Sequence, residues 1–403
     1  MSRVVITGLG VVSSLGIGQR EFSQSLLLGK SGISEVDAFT TSDHAVHVGG
    51  QVRKFDPLAY ISPGRVHRYG RASQFAIASA RMAISDSGLT FEARDSALAV
   101  VIGTTMAEAQ AIELIDKMYL EHGSRNIPGK LFAQYPGNMI GAHVAAELGC
   151  CGPVLTFGNA CAAGNYAIAY AYDLIQMGRT EMAVAGGADA FSRIAFTGFN
   201  RLLAMAPKGC QPFNRDRKGM LLGEGAGVVV LESLEAAKKR GAEIYAEIIG
   251  YGLSCDAGHM TIPSVEGVEN VMANALQSSN LSCDDVDYIS AHGTGTPAND
   301  RVECAAIKKT FRSRSHLMPI SSIKSMLGHT MGAASALEAI ACAIFIKEGF
   351  IAPTINFQEA DPECEIDCVP NTARRQDVKV ALNNSFAFGG NNACVVLRDI
   401  SNG

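Results

Sequence analysis

No apolar run in the chain reaches the roughly eighteen residues that a membrane-spanning helix needs. The opening MSRVVITGLG also lacks the basic, apolar and small-residue succession of a secretory signal. A soluble, cytoplasmic protein without a membrane partner is expected. An excess of one charge is missing too: the formal net charge is −5, which sets up no global field for nucleic acid, although a local basic patch can still attract an acidic partner. Metal-type cysteine spacing is absent as well. The eleven cysteines are odd in number and scattered, so neither a disulfide framework nor a zinc cluster is expected. Cys364 and Cys368 come closest to a ligand pair, but no neighbouring His or Cys completes them. No metal and no bound cofactor is therefore expected. Finally, no low-complexity linker divides the 403 residues, of which 47% are hydrophobic and 18% charged; such a chain is globular and long enough for one large core or two fused ones.

What is present is α/β punctuation. The 42 glycines fall where β-branched runs end and helical patterns begin. The order of segments before about residue 240 then recurs after it. ALAVVIGTT (97–105) and VDYISAHGTGT (286–296) are each a strand running into a tight polar turn. VLTFGNACAAG (154–164) opens a small-residue helix ending near Gly178, and MPISSIKSMLGHTMGAAS (318–335) opens a comparable one ending near Gly349. GMLLGEGAGVVVLES (219–233) and NSFAFGGNNACVVLRD (384–399) are both glycine-rich turns feeding a VVL strand, each read as the closing hairpin of its half. The short amphipathic stretch 231–243 serves as the join, and AEIIGYGLS (246–254) echoes VVITGLGVVSS (4–14). Two βαβ-type halves, 1–240 and 241–403, are expected. If they pack face to face, their strand-end turns share a cleft, because open α/β sheets place ligands beyond the carboxyl ends of their strands.

Three reactive side chains lie at such turns. Cys161 sits between an apolar strand and a buried-type helix, where the helix N-terminus favours thiolate, the reactive nucleophile. A buried cysteine acting as a small hydrophobe is an equal alternative from context alone. His292 lies in YISAHGTGTP (288–297) and His329 in KSMLGHTMG (324–332); each is either a functional imidazole or a cap on its own turn. Lys324 and Glu303 read by default as solvated charges. Their coincidence at corresponding turns of two similar halves raises all of them.

The motifs NACAAG (159–164), AHGTGTP (291–297), KSMLGH (324–329) and NSFAFGGNN (384–392), in that order, make the chain resemble a 3-oxoacyl-(acyl-carrier-protein) synthase, the elongating condensing enzyme of fatty acid and type II polyketide synthesis. The resemblance covers essentially the full length. It implies a thiolase-like fold, a five-layered αβαβα sandwich, and a catalytic triad of Cys161, His292 and His329 with Lys324 as electrostatic support. It further implies that Glu303 and Asp300 belong to the polar network around that lysine and that Thr294 and Thr296 hold the phosphopantetheine arm. The backbone N–H groups of Cys161 and Phe388 would form the oxyanion hole, worth roughly 3–4 kcal/mol per donor in such sites. Met106 and Phe388 are candidate gates on an acyl tunnel. Arg65, Arg68 and Lys130, with Arg71 beside them, correspond to a docking surface for an acidic acyl carrier protein. The protein partner would be that carrier, together with a second copy or a related chain-length subunit in a dimer.

Several positions depart from the pattern. Asn159 stands before Ala-Cys where Thr is usual, Gln211, Asn214 and Lys218 replace Arg, Asp and Asp, and Ala387 and Asn391 alter the glycine turn. GTTMAEAQ (103–110) replaces a glycine-rich stretch beside the acyl pocket. A specialised synthase for a polyene or polyketide chain is expected. His259, in CDAGHMTIP (255–263), reads as a packing or capping residue of a loop beside the site and not as a third catalytic histidine. Two alternatives stand beside this reading. A silent chain-length subunit typically lacks the reactive cysteine, which is present here. A thiolase-like enzyme acting on coenzyme A esters typically carries a second catalytic cysteine on a glycine turn, whereas Cys394 lies within a strand pattern.

Overall fold

The computed structural model describes residues 2–90 and 97–400. Its first half runs β1 (Val4–Ser13), α1 (Arg71–Ser87), β2 (Ala99–Gly103), α2 (Met139–Leu148), β3 (Val154–Phe157), α3 (Ala163–Gln176), β4 (Met182–Asp189) and β5 (Gly225–Ser233). The second half repeats the series as β6 (Ala246–Cys255), α4 (Val265–Ser278), β7 (Tyr288–Ser290), α5 (Pro297–Phe311), β8 (Ile320–Ser321), α6 (Ala334–Glu348), β9 (Val380–Phe386) and β10 (Asn391–Arg398). Shorter elements fill the connections, among them the helix Leu234–Lys239 between the halves.

The strands join in the order β8-β7-β9-β10-β6-β1-β5-β4-β2-β3. Read outward from the centre, β1-β5-β4-β2-β3 and β6-β10-β9-β7-β8 are the same path walked twice. Directions repeat as well: β2 is parallel to β3 and β4, and β7 to β8 and β9, while the remaining pairs are antiparallel. The two half-sheets touch through a short antiparallel pairing of Val4–Ile6 with Ala246–Ile248. Beyond it they separate, and α3 and α6 fill the space between them.

Sequence explains that placement. α6 reads ASALEAIACAIFIKE and is buried from Ala334 to Phe345; a helix apolar on all sides belongs in a core, not on a surface. α3 packs against it closely, because a Cβ on Gly164 would lie 2.7 Å from the Ala336 nitrogen. On the outside, α1 and α2 cover the first half-sheet, and α4 and α5 the second. The layers are thus αβαβα. β1, buried at every residue, is met by α1 at Gly10, where a Cβ would stand 1.8 Å from the Ser79 carbonyl oxygen.

One expectation is corrected. β9 and β10 do form a closing hairpin across residues 387–390, but in the first half β4 and β5 pair across the long excursion 190–224. The glycine turn before β5 is therefore not a hairpin turn. That excursion, with its helix Arg193–Arg201, instead builds one wall of the cleft described next.

Candidate active site

Cys161 lies in the short 3-10 turn Ala160–Ala162 that leads into α3, and it is 7% exposed. Ala160 just before it holds φ 46°, a left-handed conformation that a non-glycine residue keeps only where its surroundings impose it. The second half repeats this turn at Met331–Ala333, with Met331 at φ 56° ahead of α6. Burial pushes the Cys161 thiol up to about 12, against the pull of Lys324 and with Asp189 adding to the rise.

His292 follows β7 on a turn whose N–H groups are satisfied by another residue. Glu303 Oε1 accepts from the His292 nitrogen and Oε2 from the Gly293 nitrogen, both at 2.8 Å. The imidazole is thereby released from capping duty and lines the cleft. His329 is strapped on both sides: its N–H donates to the Leu221 carbonyl at 2.6 Å, and its carbonyl accepts from the Gly223 N–H at 2.9 Å. Its Nδ1 accepts from the Met331 N–H at 3.2 Å. In the neutral ring the proton must then sit on Nε2.

The two rings stand 5.5 Å apart at 82°. Both are held well below the usual histidine range, by burial first and then by the Lys324 charge, with His329 contributing a further push on His292. Neutral imidazoles are the result.

Lys324 is buried, and its ammonium pairs with Glu338 on α6. Glu303 lies within reach of the Lys324 charge but spends its oxygens on backbone N–H groups, so the direct ion pair is with Glu338. Glu338 was not anticipated; the signal was a lone acidic residue within the buried stretch from Ala334 to Phe345, which has to be paired to be buried there. Burial pushes Glu338 up to about 7 against Lys324, and Glu303 likewise to about 7. Asp300, also buried, accepts from the Gly295 N–H at 3.1 Å and the Phe213 N–H at 2.9 Å and faces Arg217 at 3.5 Å.

Cys161, His292, His329, Thr294, Thr296 and Phe388 line one cleft of about 580 Å³, closed on its far side by Phe199 and by the loop bearing His259 and Met260. The Thr294 and Thr296 hydroxyls lie 2.9 Å apart. Among the described residues, neither the Cys161 N–H nor the Phe388 N–H donates to a protein acceptor. Phe388, 38% exposed, packs on Phe199 at 5.7 Å, and Gly389 beside it donates to the Met260 carbonyl at 2.8 Å. His259 caps its own loop, its Nδ1 accepting from the Thr261 and Ile262 nitrogens at 3.1 and 3.3 Å.

Met106 is not on this cleft. It packs against the cluster around Phe191 and Phe196. The docking candidates divide. Arg68 and Lys130 are exposed and share a concavity with Tyr69 and His143. Arg65 is tied to Glu147 at 3.1 Å, and Arg71 to the buried Glu224 at 2.6 Å. Arg71 is therefore a structural residue, bound where a docking cation would have to be free. Asn214, one of the departures from the family pattern, is buried and accepts from the Gln358 and Glu359 nitrogens; Lys218 is exposed.

Comparison with known proteins places this geometry in context. Residues 1–237 match the model of the beta-ketoacyl synthase N-terminal domain, and residues 245–358 that of the C-terminal domain. The chain is 40% identical over 400 residues to nodulation protein E of Rhizobium sp. (strain N33), covering 99% of each. It is 36% identical to 3-oxoacyl-[acyl-carrier-protein] synthase 2 of Synechocystis sp., covering 98% of each. Among solved structures, the ishigamide ketosynthase/chain length factor superposes with a TM-score of 0.95 at 43% identity, over 98% of this chain and 99% of that one.

Proposed function

The chain belongs to the beta-ketoacyl synthase family, and from that premise we propose that Cys161, His292 and His329 carry its condensation in two half-reactions. It is a condensing enzyme of fatty-acid or polyketide synthesis; the roles of its residues follow from chemistry. In the first half-reaction the Cys161 sulfur attacks an acyl thioester. With the thiol pushed up to about 12, ionisation ahead of attack is unfavourable, so the proton leaves as the carbon–sulfur bond forms and ends on the departing thiol. The Cys161 and Phe388 N–H groups, which among the described residues have no protein acceptor, receive the tetrahedral oxyanion.

In the second half-reaction a malonyl thioester loses carbon dioxide. The enolate oxygen is received by imidazole N–H donors, and the carbanion attacks the acyl-cysteine, expelling the sulfur. The observation that carries this reading is the His329 ring: Met331 occupies its Nδ1, so the Nε2 proton is available to an anion and is not needed for a base. Burial, with the Lys324 charge behind it, keeps both rings neutral. Thr294 and Thr296 line the cleft where a phosphopantetheine arm would lie. Asp300 and Glu303 hold the turn that bears them.

The substrates are read as carried on an acyl carrier protein, in line with the name of the Synechocystis relative. Arg68 and Lys130 are the exposed cations of the docking concavity, and charge-led docking of this kind weakens with salt. Phe388 remains the gate candidate at the cleft mouth. Similarity to the ishigamide ketosynthase/chain length factor supports a specialised chain and pairing either with a second copy or with a related subunit. Intact-protein mass measurement after incubation with acyl-carrier protein, and separately with acyl-coenzyme A, tests the reading. An acyl adduct on Cys161 from the carrier is expected; an adduct from coenzyme A alone, or on another residue, would overturn it.

A further inference from the structure

Asp189 ends β4, is fully buried, and takes no part in either half-reaction as written above. Both of its oxygens are filled twice. Oδ1 accepts from the Thr104 hydroxyl at 2.8 Å and the Met106 N–H at 2.9 Å; Oδ2 accepts from the Thr105 N–H at 2.8 Å and the Gly332 N–H at 2.7 Å. Three of these donors lie on the turn after β2. The fourth belongs to the other half of the molecule, three residues beyond His329.

The second half contains a counterpart of the bonds to the β2 turn, for Glu303 holds the turn after β7 through two backbone N–H groups. What sets Asp189 apart is the bond that crosses between halves. Gly332 follows Met331, whose N–H donates to His329 Nδ1 and whose φ of 56° persists only if its neighbours over-determine it. The fit is close, since a Cβ on Gly332 would meet the Thr105 nitrogen at 2.6 Å and Asp189 Oδ2 at 2.7 Å.

We propose that Asp189 is a positioning residue for decarboxylation: by gripping the Gly332 N–H it holds the Met331 N–H on His329 Nδ1 and so keeps the Nε2 proton of His329 directed at the enolate oxygen. The inference rests on the role given to His329 above. Asparagine cannot replace the carboxylate, because it offers one acceptor oxygen and turns an NH₂ group toward N–H donors.

The experiment uses the full chain and three variants, Asp189→Asn, Thr104→Val and His329→Ala. Two rates are read, carbon dioxide release from a malonyl-carrier thioester and acylation of Cys161 by intact mass, together with the ¹⁵N imidazole resonances of histidine-labelled protein. Asp189→Asn is expected to lower release by about tenfold or more, the loss of one charge-assisted bond, with acylation within about threefold and the His329 resonances moved toward a mixture of tautomers. Thr104→Val, which removes a bond to the first-half turn alone, is expected to leave release within about twofold. If Asp189→Asn does not fold, Gly332→Ala carries the test, since it displaces the same N–H and leaves the carboxylate in place; the same split is expected. Unchanged release, an equal loss of both rates, or unmoved His329 resonances would overturn the proposal. Full release by His329→Ala would instead remove the reading on which it stands.

Discussion

Replacing Glu303 by Gln separates what the carboxylate does for the fold from what it does for the site. Its two oxygens accept the His292 and Gly293 N–H groups at 2.8 Å each. Glutamine retains one acceptor and presents an NH₂ to the other donor, leaving a buried N–H unpaired at a cost of about 1–3 kcal/mol. Against this, burial raises the carboxyl from its ordinary 4.5 to about 7. At about 1.4 kcal/mol per pK unit, the ionised group costs the fold about 3 kcal/mol above neutrality, and glutamine removes that cost. The two effects nearly cancel, so stability should stay within about 2 kcal/mol of the parent. Activity does not share the cancellation. The turn that aims His292 loses one of its two anchors, and carbon dioxide release should fall by about tenfold or more, as small misplacements in preorganised sites do.

The sign of the pH effect follows from the same numbers. A folded value above the unfolded one means that the stabilising contribution is full below 4.5 and is lost as the pH rises through about 7. Asp189 and Glu338 are raised in the same direction, so the parent should lose stability across this window, and the difference between parent and Glu303→Gln isolates one carboxylate. Urea denaturation at about pH 5 and about pH 8, with release rates measured in parallel, is the assay. A stability loss beyond about 4 kcal/mol, or a release rate equal to the parent's, would show that Glu303 does not act through these two N–H groups.

A resting Cys161 thiol at about 12 should react with iodoacetamide at a rate that climbs with pH through the mildly alkaline range; a plateau near neutrality would mean a preformed thiolate. Lys324→Met leaves Glu338 buried without its partner and should cost about 3–5 kcal/mol, which the double variant with Glu338→Gln should largely recover in a double-mutant cycle by denaturation. With the positive charge gone, both histidines should titrate closer to their ordinary range, because Lys324 is one of the groups holding them low. The acid limb of the release profile in the double variant should then move to higher pH.

The duplicated architecture was legible because strand, turn and helix recur in one order, down to β1 and β6, which match in length and pair at the centre. That Cys161, His292 and His329 meet in one cleft was legible because glycine and small residues mark their turns. Glu338 and Asp189 were not, since a buried carboxylate shows its purpose only through donors 14 and 143 residues away. The side on which Met106 packs is equally invisible in sequence, being decided by the Phe191 and Phe196 cluster. The burial that raises the Cys161 thiol is likewise invisible in sequence, which displays only the helix terminus. Docking cations were over-counted for a related reason: Arg71 looks exposed in a charged stretch but is spent on Glu224.

The central claim is that one cleft divides its chemistry between a sulfur and two imidazoles. Its most direct test compares Cys161→Ala with the double variant His292→Ala/His329→Ala in the two half-reactions measured separately. Cys161→Ala is expected to take up no acyl group yet still release carbon dioxide from malonyl-carrier, and the histidine variant to become acylated on Cys161 while release is lost. Chain elongation by Cys161→Ala at the parent rate, or undiminished release without the histidines, would contradict it.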